Sequence, residues 1–163
     1  MNPITRQVNI LISLLLILLC IKSSGQTTNR LVFDPLDLAV NDVCGITDSK
    51  LVMVGDGGML ALTSDSFDTY RKIRLPTMAN LFSVAFFGDK VGFTAGENGT
   101  LYRTIDSGRT WQVQNIGTNV TLTCLAFFSN GKGFLSGMQG ILFQTLDSGQ
   151  SWTLKTVPFT SSV

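Results

Sequence analysis

Apolar positions in this chain fall into one long N-terminal run and many short, recurring ones. Beyond residue 40 the stretches L-F-S-V-A-F-F at 81–87 and L-T-C-L-A-F-F at 122–128 are of strand length, closed by G-D at 88–89 and S-N-G at 129–131. Such runs between turn residues predict inner strands buried on both faces. Second strands follow at 91–95 and 133–136, third strands at 100–104 and 141–145, and outer strands at 111–116 and 152–157. Between second and third strands lie G-E-N-G at 96–99 and G-M-Q-G at 137–140. These predict tight hairpins, since Asn-Gly readily takes the backbone conformation of a two-residue turn.

The strands recur because a whole unit recurs. T-I-D-S-G-R-T-W at 104–111 returns as T-L-D-S-G-Q-S-W at 145–152, 41 residues on, and a worn copy, T-S-D-S-F-D-T-Y, stands 41 residues earlier at 63–70. Between Leu81–Trp111 and Leu122–Trp152, 14 of 31 aligned positions are identical, so these are two copies of one unit. The first unit keeps the frame through Val43, Asp48, Gly55, Gly58, Leu60, Thr63, Asp65, Ser66 and Thr69. Four antiparallel strands per 41 residues predict an all-β fold of β-propeller blades. Three four-stranded sheets are expected, at about 40–76, 81–117 and 122–157, within a blade region 40–163. Closed propellers take about four to eight blades, so an incomplete propeller is expected, to be closed by further blades or by self-association.

Each octapeptide reads as a turn between third and outer strands. The carboxylates of Asp65, Asp106 and Asp147 can accept N–H bonds from residues just after them. Gly108 and Gly149 supply a position where positive φ costs nothing. Trp111 and Trp152 are large enough to cover the hairpin beneath them. In the first copy Phe67 replaces the Gly and Tyr70 the Trp, which predicts a looser turn. These seven residues, Asp65, Asp106, Gly108, Trp111, Asp147, Gly149 and Trp152, are assigned a structural role. The pattern T-x-D-S-G-x-[TS]-W resembles the Asp-box or BNR repeat of β-propellers. With L-F-S-V-A-F-F, Gly92-Phe93, Gly96 and Gly99 ahead of it, the unit is similar to the propeller family of photosystem II assembly and stability factors. That family has many secreted bacterial relatives with no photosynthetic role. The resemblance implies a propeller, a binding or assembly role and a protein partner.

The N-terminal run changes the expected location. Arg6 precedes an oily stretch from Ile10 to Ile21, broken only by Ser13 and Cys20. It is too short for a membrane span of about 20 residues, so no stable span is expected after processing. Ser23 and Gly25 put small residues where a signal peptidase reads them. Residues 1–25 are predicted to be a signal peptide cleaved between Gly25 and Gln26, making the chain secreted or periplasmic. A polar segment, 26–39, leads into the repeats, and 31–33 could add a strand.

Cleavage would turn the net charge from +1 to −1 by removing Arg6 and Lys22. No basic run indicates nucleic acid; the cluster at 71–74 reads as a solvated strand edge. Two cysteines would remain. Cys44 aligns with Ala85, and Cys124 with Ser83, in units that are not neighbours, so buried thiols are expected in place of a disulfide.

Histidine is absent, which removes histidine triads, histidine metal sites and the commonest general base. Glu97 is the sole glutamate, at a hairpin tip, and is read as a solvated turn residue. A glycoside hydrolase would need paired carboxylates from aspartates; Asp42, Asp48, Asp56, Asp68 and Asp89 are left without a visible pairing, and Asp42 stands out for its inner strand. Gly55-Asp56-Gly57-Gly58 lacks the lysine and helix of a phosphate loop and reads as a hairpin. The expected function is a non-catalytic binding scaffold with no cofactor and no metal. The alternative is part of an extracellular Asp-box glycoside hydrolase, sialidase-like or xyloglucanase-like. Binding is expected at one end of the blades, through hairpins around Asp56, Glu97 and Met138 or through loops near 71–74 and 115–119.

Overall fold

A computed structural model describes residues 39–156 apart from residue 67. The predicted signal peptide with its Gly25–Gln26 cleavage point, the segment before 39, Phe67 and the tail from 157 lie outside the described residues. Within them the chain forms three four-stranded sheets, each antiparallel and each in simple sequence order. The first holds β1 (Val40–Gly45), β2 (Leu51–Gly55), β3 (Leu60–Thr63) and β4 (Arg71–Lys72). The second holds β5 (Leu81–Phe87), β6 (Val91–Gly96), β7 (Leu101–Thr104) and β8 (Gln112–Val113). The third holds β9 (Leu122–Phe127), β10 (Gly133–Gly137), β11 (Leu142–Thr145) and β12 (Thr153–Leu154).

The sheets pack through two apolar clusters. Val52, Val54, Leu60, Leu62, Leu75, Leu81, Val84 and Tyr102 join the first sheet to the second. Phe93, Ala95, Leu101, Leu122, Leu125, Leu135 and Phe143 join the second to the third. Each fully buried Leu or Phe contributes about 1.5–3 kcal/mol. These faces are the sequence's alternating and all-apolar positions brought together. β5 sits between the other two inner strands and is the best covered. β1 is half-buried from Val40 to Cys44 and exposed at Gly45, and β9 mixes buried with exposed positions, contrary to the expectation of inner strands covered on both faces. Among the described residues each of these has a neighbouring sheet on one side only.

Two other expectations need correction. The outer strands are two residues long, not six. After Val113 the chain adds one bond along β7, Gln114 N–H to the Leu101 carbonyl at 2.8 Å. Ile73 and Lys155 make the same single bond, to the Leu60 and Leu142 carbonyls at 2.8 and 2.7 Å, so each outer strand ends alike; the Gln114 side chain donates to the Gly149 carbonyl of the third sheet at 2.8 Å. The thiols also differ from the expected burial. No disulfide joins Cys44 and Cys124; Cys44 packs against the first cluster, whereas Cys124 is exposed on the open side of β9.

Candidate functional site

The three sheets present two ends. At one, a 3-10 turn joins second and third strands in each sheet: Asp56–Gly58, Glu97–Gly99 and Met138–Gly140. The inner strands start at this end, and Asp56, Glu97 and Met138 donate their N–H groups to the carbonyls of Ala39, Asn80 and Thr121. Gly58 and Gly99 lie so close to the Thr77 and Thr118 carbonyls that a Cβ at either would overlap them. Hairpin tips and inter-sheet connections therefore form one surface, which merges the tips with the 115–119 loop. Met78 and Met138 are exposed on it.

Acids at these tips are held in place. Asn41 Nδ2 donates to Asp56 Oδ1 at 2.9 Å and to the Leu81 carbonyl of the next sheet at 2.9 Å. Glu97 accepts from the Asn80 backbone and side chain, each at 3.0 Å, while Asn80 Oδ1 takes the Gly57 N–H at 2.9 Å. Glu97 is thus half-buried and bonded to the inter-sheet connection, not the freely solvated residue expected at a tip. The readable signal was an acid at the same hairpin position in two units, each with an asparagine nearby.

Asp42 does not stand as a free acid either. Each inner strand carries a register shift near its start. In the second and third sheets the acceptor for the next amide comes from the preceding sheet. Asp42 Oδ2 accepts the Val84 N–H at 2.8 Å and the Ser83 hydroxyl at 3.2 Å, and Ser83 Oγ accepts the Leu125 N–H at 3.1 Å. Asp42 Oδ1 takes the Val43 N–H at 2.8 Å. The alignment of Asp42, Ser83 and Cys124 is thus one position of inter-sheet stitching. Asp89 lies exposed in the turn between β5 and β6.

The opposite end carries the three aspartate turns. Asp106 Oδ1 accepts from Thr104 Oγ1, Arg109 N and Thr110 N at 2.8, 3.0 and 2.9 Å, and Oδ2 from Thr110 Oγ1 at 2.6 Å. Asp147 repeats this with Thr145 and Ser151, and Asp65 with Thr63 and Thr69. Side-chain bonds from Thr63 and Thr69 hold the Asp65 pKa at about 2, and bonds from Ser151 and Thr145 hold Asp147 at about 2. Partial burial alone would raise Asp106, but the Thr110, Thr104 and Arg109 bonds outweigh it and leave about 2. The bonds at Asp65 are as short as those at its two counterparts. Positive φ begins one residue earlier than the sequence suggests: Ser66, Ser107 and Ser148 have φ near 60°, and Gly108 and Gly149 follow at 79° and 74°.

Trp111 meets Phe86 edge-on and donates its indole N–H to the Gly108 carbonyl at 3.1 Å. Trp152 meets both Phe93 of the second sheet and Phe127 of its own. Among the described residues no three of His, Cys, Asp and Glu gather as a metal set, and no helix is long and apolar enough to cross a membrane.

Three solved structures share this arrangement. YCF48 bound to D1 peptide superposes with a TM-score of 0.65 at 23% identity, over 74% of this chain and 41% of that one. YCF48 from Cyanidioschyzon merolae gives 0.63 at 17%, over 76% and 38%. The chain has the β-propeller fold and resembles YCF48. An ancestral GH74 enzyme gives 0.63 at 14% identity, over 73% of this chain and 18% of that enzyme. The chain therefore spans about two fifths of the YCF48 structures, and its three sheets are blades. At these identities the likeness is one of fold. No protein-family model and no curated protein matches the chain.

Proposed function

We propose that this chain is a secreted or periplasmic, non-catalytic propeller scaffold that holds a protein partner. One observation carries the reading: six of the nine acids among the described residues are occupied within the fold. Asp42 and Glu97 stitch strands and connections, Asp56 is held by Asn41, and Asp65, Asp106 and Asp147 close turns. A general acid or base must be within reach of the substrate proton it moves, and these oxygens already accept internal donors. The sequence resemblance to assembly factors supports a protein partner, as does a YCF48 structure with a bound peptide. The likeness to a GH74 enzyme favours glycoside hydrolysis as the second reading. Asp48 and Asp89, exposed in equivalent turns of the first and second blades, and the exposed Asp68 would be its remaining acids among the described residues.

A screen of the purified chain against polysaccharides and sialosides tests the choice, with no turnover expected. Turnover that survives purification and is lost in Asp89→Asn or Asp42→Asn would replace the scaffold by a hydrolase. Exported protein should begin at Gln26 on N-terminal sequencing; a retained oily stretch would overturn the signal peptide.

A further inference from the structure

A groove of about 720 Å³ opens between the first and second blades at the aspartate-turn end. Lys50, Arg71 and Arg109 line it, with Tyr70 and the hydroxyls of Thr69 and Thr110. The three cations come from separate places: the residue before β2, the start of β4, and the aspartate turn of the next blade. Arg71 spans the junction by donating from Nη2 to the Arg109 carbonyl at 3.3 Å. Lys50 is pushed below its ordinary pKa, first by burial and then by the Arg109 charge, with Asp106 partly offsetting them. No aspartate or glutamate is among the lining residues. Asp65 and Asp106 spend their oxygens on their own turns.

The next junction supplies an internal control. One period on, Lys50, Arg71 and Arg109 become Val91, Gln112 and Gln150, and Tyr70 becomes the larger Trp111. There the Gln114 amide reaches the Gly149 and Gln150 carbonyls. The repeat needs no cation at any of these positions to fold. Asp65 and Asp106, ionised just behind the lining threonines, offset part of the three positive charges gathered here, and the remainder leaves a net positive field that an anion would relieve.

We propose that this groove seats an acidic peptide segment, its carboxylates against Lys50, Arg71 and Arg109. The proposal rests on the protein-partner reading and adds the place and chemistry of contact. A neutral polysaccharide suits the walls less well. It carries no charge to meet Lys50, Arg71 and Arg109, which would be left without a counter-ion under it.

The test uses the full chain with a fluorescein-labelled octaglutamate peptide, octaglutamine as the uncharged control, and polygalacturonate as the anionic sugar. Octaglutamate should bind, octaglutamine should not, and added salt should weaken binding. The triple variant Lys50→Val, Arg71→Gln, Arg109→Gln borrows its residues from the next junction and should lose affinity by about tenfold or more. Should that variant lose its fold, Arg109→Gln alone, at an exposed position, should still cost about threefold. Unchanged affinity in a variant that keeps its denaturation midpoint overturns the groove. So does a wild-type chain that prefers polygalacturonate or ignores octaglutamate. Capture of a specific protein by wild type and triple variant alike would sink the groove and leave the scaffold standing.

Discussion

Between the first and second blades, Val52 lies against Gly108; between the second and third, Phe93 lies against Gly149. The positions are the same in the repeat, yet the second junction carries more aromatic packing. Trp152 touches two phenylalanines there, and Phe93 stacks on Phe127 with centroids 5.1 Å apart. At the first junction Trp111 has one aromatic partner, and the rim is cationic. The comparison separates two demands on one frame. The second junction is built for cohesion, and the first gives up ring contact for a charged opening.

Removing the rings should break this contrast most sharply. Trp152→Ala should cost about 3–5 kcal/mol, from lost burial and the cavity left behind. Trp111→Ala should cost somewhat less, having one aromatic pair fewer to lose, with the gap narrowed by the hydrogen bond its indole makes to Gly108 and the buried Trp152 indole does not. Urea denaturation midpoints would show it, and equal shifts would erase the distinction. The glycines come next. Both have positive φ, but a Cβ on Gly149 would run into the Phe93 ring, whereas one on Gly108 would sit 3.1 Å from Val52 Cγ2. Gly149→Ala should therefore cost about 2–4 kcal/mol, from strain and overpacking together. Gly108→Ala should cost about 1–2 kcal/mol, mainly the left-handed backbone penalty.

The stitching residues should differ less. Asp42→Ala strands the Val84 N–H and should cost about 1–3 kcal/mol. Ser83→Ala strands the Leu125 N–H and should cost about 1 kcal/mol. Thermal melts of the two variants would rank them. Acid should sharpen the comparison by failing to distinguish the junctions. Asp106 and Asp147 both titrate at about 2 in the fold against an ordinary 3.8. As pH falls below about 4 the unfolded chain takes up these protons first, so stability present above that value declines until about pH 2. Asp106→Ala and Asp147→Ala should each flatten that decline by a similar amount. A decline unaltered in either would mean that its turn bonds do not hold the charge.

The sheets were legible because period and strand length are properties of local sequence. Leu81–Phe87 between its turns, repeated at 122, admits little besides an inner strand, and three four-stranded antiparallel sheets are what the chain forms. Relations between units were harder to read. Asp42 looks like an unused acid because its partners, Ser83 and Val84, lie a full period away. Glu97 looks solvated for the same reason: Asn80 belongs to the connection, not to the hairpin. The groove was hidden more deeply. Arg71 reads as one member of a short basic edge, and only folding sets it beside Lys50 and Arg109. Its sequence signal lay in the differences between copies: three positions neutral in one unit and cationic in another.

The contact of a ring or methyl with a bare turn also bears on how such a chain can lengthen. Suppose the stretch 81–121 were duplicated in tandem. Phe93 of the earlier copy would come to lie over the Gly108 of the later one, and Ser83 would meet the amide of the duplicated Val84. Both seams would close with side chains already present. A duplicate of the first unit would instead direct Val52 at the position that Phe67 holds in the sequence. Gene duplication would therefore find a ready-made template in the second unit, and in the first one that needs mending before it can be copied.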